Sequence, residues 1–123
     1  MRPTKFVKHI KMPMYNCTVH CIITDSMDDV VNGIFKKYKL ERDVSGAAEG
    51  MVLSPDITDY YLLIDINYLS HNTISHELHH AVIKLTEDRG IVDQETQAWI
   101  SGHIAGTLYK FLDKKNITVK HGG

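Results

Sequence analysis

At 123 residues the chain is sized for one domain around one core, and 43% hydrophobic with 24% charged residues is ordinary for a globular protein. A formal charge of -1 gives no electrostatic case for nucleic acid or a membrane surface as partner, and no apolar run is long enough to span a bilayer. Two cysteines, Cys17 and Cys21, are too few for a disulfide framework. The oddity is eight histidines, three of them between His76 and His80.

Residues 1–13 carry Arg2, Lys5, Lys8 and Lys11 without the apolar run of a secretory signal. They are expected to form a loosely ordered basic arm on a cytoplasmic protein. Tyr15 to Ile23 fits a strand with Cys17, Val19 and Cys21 on one side, the thiols serving as buried packing. Asp25 or Ser26 is placed to cap a helix reaching about Leu40. Its first turn holds Asp28 and Asp29 and its last holds lysines, both complementing the helix dipole. Val30, Val31, Ile34, Phe35 and Tyr38 make its apolar stripe.

The small-residue run Asp43 to Gly50 reads as a connection or a rim over a cleft. Met51–Leu53 and Tyr60–Ile66 read as strands joined across the turn signal Ser54-Pro55-Asp56, the second apolar enough to be buried on both faces. Two helices follow, about Asn72–Glu87 and Asp93–Leu112, separated by Arg89-Gly90. The expected fold is therefore a single α+β domain over 1–123. A small mixed or antiparallel sheet and a scaffold helix precede an antiparallel helix pair.

The first helix of that pair contains His76-Glu77-x-x-His80. Positions i and i+4 stand one above the other on a helix, so both imidazoles can reach one zinc ion. Glu77 lies roughly 100° round from His76, near enough to touch a water on that metal without replacing it. Ile74, Leu78, Ala81, Val82 and Leu85 gather on the opposite, core side.

A third ligand is sought on the second helix, where Ala98, Gly102, Ala105 and Gly106 form a small-residue side with Glu95 at its N-terminal end. Packing through that side would bring Glu95 toward His80 and complete a His-His-Glu set. His103 is the main rival at suitable depth. His79 is a third of a turn from His80 and cannot join the same ion. A solvated helix face carrying histidines by chance is the alternative to any metal at all.

With Glu95-Thr96-Gln97-Ala98-Trp99 downstream, the motif resembles the zincin metallopeptidases. It is most similar to the gluzincin branch and to small single-domain HExxH proteins of phage and prophage genomes. The resemblance covers about Tyr61 to Leu112. It implies zinc on His76, His80 and Glu95, with Glu77 as general base in hydrolysis of a peptide or protein substrate. The large gluzincins often place an aspartate four residues after the glutamate ligand; here that position is Trp99. Asp65, Asp93 or a backbone carbonyl is then expected to orient the imidazoles. His103 is the first candidate for an oxyanion donor, ahead of Tyr109, Tyr60 and Tyr61. A non-catalytic zinc-stabilised interaction domain is the competing expectation.

Overall fold

A computed structural model describes residues 4–41 and 48–121. Four strands, β1 (Lys5–Met12), β2 (Cys17–Thr24), β3 (Gly50–Leu53) and β4 (Asp59–Asp65), form one mixed sheet in the order β1-β2-β4-β3. β1 and β2 are antiparallel, β2 and β4 parallel, and β3 and β4 antiparallel. The helices are α1 (Met27–Lys37), α2 (His71–Asp88) and α3 (Gln94–Lys114). The fold is thus α+β, and among the described residues no helix is long and apolar enough to cross a membrane.

Side-chain alternation along the strands divides the core into two layers. Cys17, Val19, Cys21 and Ile23 of β2, with Tyr60, Leu62 and Ile64 of β4, pack against the apolar stripes of α2 and α3. Ile22, Tyr61 and Leu63 point the other way, onto Met27, Val30, Val31 and Ile34 of α1. β4 is buried on both faces from Tyr60 to Ile64, as its continuous apolar run predicts. Both cysteines are buried and free, and burial pushes the Cys21 thiol up to about 12, which leaves it inert as a nucleophile.

The N-terminal expectation is overturned. Residues 5–12 are not an arm but the edge strand β1, paired with β2 from Lys5↔Thr24 to Met12↔Cys17. Its lysines conceal an alternation in which Ile10 and Met12 face the core, while charge on an edge strand discourages pairing with another chain. Of the small-residue run, residues 43–47 lie outside the described residues, and Gly50 opens β3.

Ser70 caps α2 by accepting from the Thr73 amide, and Asp93 caps α3 by accepting from the Thr96 amide. Gly90 between them takes a left-handed φ of 66°, the conformation the reversal requires. The C-terminal residues return to the start of α2, where Lys120 bonds through its backbone to Leu69 and His71.

Arg89, at the end of α2, holds this helix to two loops of the sheet. Its guanidinium donates to the Tyr60 hydroxyl at 2.7 Å, the Tyr15 carbonyl at 2.9 Å and the Ile57 carbonyl. Tyr60 in turn donates to Asp88 at 2.6 Å, and burial followed by this bond pushes the phenol up to about 12. Charge-assisted bonds of this kind contribute about 1.5–3 kcal/mol each. Arg89→Met is therefore expected to destabilise the chain by about 2–4 kcal/mol in urea unfolding, with Arg89→Lys recovering little because an ammonium cannot span three acceptors.

Candidate metal and acid–base site

The core face of α2 fixes where its polar side points. Ile74, Leu78, Ala81, Val82 and Leu85 are all buried, so His76 and His80 emerge on the open side. Their Nε2 atoms stand 3.2 Å apart, with the rings edge to face. Two nitrogens bound to one tetrahedral zinc at 2.0–2.1 Å would be separated by about 3.3–3.4 Å. The pair already has the spacing of two ligands to a single ion.

Glu77 behaves differently from its neighbours. Its side chain is 9% exposed against 65% for His76, and its Oε2 lies 3.9 Å from His76 Nε2. It turns toward β3, where Gly50 leaves the space it occupies. A Cβ on Gly50 would stand 2.7 Å from Glu77 Cγ and 2.8 Å from Oε2, closer than carbon atoms tolerate. Burial raises the Glu77 carboxyl above its ordinary value, and the adjacent His76 and His80 pull it back down. A carboxylate poised this way exchanges protons nearer neutrality than a solvated one does.

The remaining expected residues are not gathered here. Glu95 and His103 are exposed on α3, and among the described residues no group of three His, Cys, Asp or Glu side chains stands where it could share an ion. The reason is the rotation of α3 about its axis. The groove between α2 and α3 is lined by Ser75, His79 and Val82 on one side and Gln94, Gln97 and Ala98 on the other. Gly102 and Gly106, expected at a close helix contact, are exposed and have open space beside them. It is His79, not the His76–His80 pair, that faces α3.

The candidate orienting and donor groups are engaged elsewhere. Asp65 accepts from the Asn67 amide, and Asp93 from the amide and hydroxyl of Thr96. Tyr109 bonds His71 at 2.8 Å, Tyr61 bonds Tyr38 on the α1 face, and Tyr60 is bound to Asp88 and Arg89. None of the three tyrosines is directed at the His76–His80 pair. Gly50 is the site residue that sequence reasoning missed, since it is distant in the chain and its small size has meaning only beside Glu77.

The pair and the acid therefore fit an ion held through two imidazoles with a base beside it, and they supply two of the three protein ligands expected. No family model, curated protein or solved structure matches the chain.

Two outcomes follow from the burial of Glu77. Because its folded pKa lies above the unfolded value, the metal-free folded chain holds a proton that the unfolded chain has lost across the window between them. Stability then falls as pH rises through that window, and Glu77→Gln is expected to remove the fall when unfolding is measured as a function of pH. Gly50→Ala is expected to expel the carboxylate from its slot, costing about 1–3 kcal/mol as an overpacked substitution. Its signature is a Glu77 titration, followed by carboxyl carbon NMR, displaced toward the ordinary value.

Proposed function

We propose that the chain is a zinc-dependent peptide hydrolase with zincin-like chemistry. One juxtaposition carries this reading: two imidazole nitrogens 3.2 Å apart on the open side of α2, with a buried carboxylate next to them. His76 and His80 hold the ion. Glu95, exposed in the first turn of α3, is assigned the remaining protein ligand.

When bound, zinc supplies a Lewis acid for the scissile carbonyl and makes water acidic enough to lose a proton near neutral pH. Glu77 accepts that proton and delivers it to the leaving amine, both transfers within reach of one carboxylate. Its burial keeps bulk water from competing for the proton. β3 is a sheet edge, and its Gly50 lies against Glu77. An extended peptide adding to that edge would bring its backbone past the base through main-chain hydrogen bonds.

A zinc-stabilised interaction domain accounts for the histidine pair alone. It has no use for a glutamate buried beside that pair at a desolvation cost, which favours the enzyme. Protein dialysed free of weakly bound metal is expected to hold one tightly bound zinc per chain and to lose it in His76→Ala; retention of that tightly bound metal in the variant would remove the site. Glu77→Gln is expected to keep zinc and lose peptide cleavage by at least a hundredfold, whereas undiminished cleavage excludes its role as base. Glu95→Ala is expected to weaken zinc binding far more than His103→Ala, and the reverse order would reassign the third ligand.

A further inference from the structure

A second pair of histidines converges on the opposite side of the sheet. His9 of β1 and His20 of β2 are direct cross-strand partners on the α1 face of the sheet, where His20 lies beside Tyr61. Opposed residues of an antiparallel pair have Cβ atoms about 4.5–5.5 Å apart, so two imidazoles there meet without backbone strain. Their Nδ1 atoms lie 2.7 Å apart. The other nitrogen of His20, Nε2, lies 2.8 Å from Asp59 Oδ1, and the His20 ring stacks on Tyr61 at 4.6 Å.

These contacts define the protonation pattern. Burial works against the charge on Asp59, but hydrogen bonds from His20 and Thr58 outweigh it and hold the carboxyl below its ordinary value. An ionised Asp59 only accepts, so His20 carries its proton on Nε2 and aims the Nδ1 lone pair at His9. A carboxylate on the far nitrogen of an imidazole is the arrangement that orients metal-ligating histidines and raises their basicity. The Tyr61 ring fixes the plane in which that lone pair points.

We infer that His9 and His20 form a second, cross-strand site for a divalent cation that favours imidazole, of the zinc or copper class, with Asp59 as its positioning residue. Binding replaces the hydrogen bond between the rings by two nitrogen–metal bonds, and the nitrogens open from 2.7 Å to about 3.3 Å. The His9 proton moves from Nδ1 to the exposed Nε2, so the neutral pair takes the ion without net proton release. Burial, then the charge of His20 and of Lys11, Lys37 and Lys8, lowers the His9 pKa. The same lysines oppose a cation, and the affinity expected is micromolar. Occupied, the site pins the edge strand β1 to β2. It owes nothing to the α2 site.

The test is titration of Zn2+ into the His76→Ala chain, followed by calorimetry and by the imidazole NMR signals of His9 and His20. One equivalent is expected to bind, shifting both sets of ring signals. His9→Gln, exposed enough to leave the fold intact by circular dichroism, is expected to weaken binding at least tenfold, and Asp59→Asn by about tenfold or more. Unmoved His9 and His20 signals, or equal zinc uptake in the His9→Gln variant, would overturn the assignment.

Discussion

The placement of Glu77 between a core face and an open face is the constraint on which the α2 site depends. Burying Ile74, Leu78, Ala81, Val82 and Leu85 sets the rotation of α2 on the sheet. Given that rotation and roughly 100° per residue, His76 and His80 turn outward while Glu77 turns along the sheet toward β3. A carboxylate there loses water, and that loss is tolerable because the two imidazoles beside it favour its charge. Gly50 supplies the room. Any side chain on β3 at that point, or any other rotation of α2, would separate Glu77 from the histidines.

The sequence was most informative where local pattern and burial agree. Apolar periodicity located β2, β4 and all three helices to within a few residues, and the Asp93 cap and Gly90 turn declared themselves by residue type. β1 was hidden because its core-facing Ile10 and Met12 are separated by the exposed Lys11, preceded by Lys5 and Lys8 and followed by Pro13, so charge masked a period-two signal. His76 and His80 were legible because helical spacing alone brings them together. Gly50 against Glu77, and His9 against His20, were not, since each depends on strand order and register across long chain separations.

The expected third ligand, Glu95, shows how helix rotation limits such reasoning. Ile100, Ile104, Leu108 and Leu112 are buried and set the facing of α3. Small residues were expected to mark the contact with α2, yet Gly102 and Gly106 face open space, and Gln97 with Ala98 lines the groove. A stripe of small residues permits close approach but does not compel it. Burial of four large aliphatic side chains outweighs that permission by several kcal/mol at about 25 cal/mol per Å².

The two histidine pairs divide between them an adjacent buried acid and an orienting carboxylate. The α2 pair has a buried acid beside it but, among the described residues, no carboxylate on its outer nitrogens, and Asp65 and Asp93 serve as caps. The sheet pair has the orienting carboxylate Asp59, bonded to the far nitrogen of His20, and its ring plane is fixed by Tyr61. An ion beside an exposed pair and a buried acid would be suited to exchanging substrate and water. An ion between oriented rings on two hydrogen-bonded strands is suited to being held. The proposed chemistry is therefore assigned to α2, where the acid is, and the proposed sheet site would tie down an edge strand that pairs on one side only.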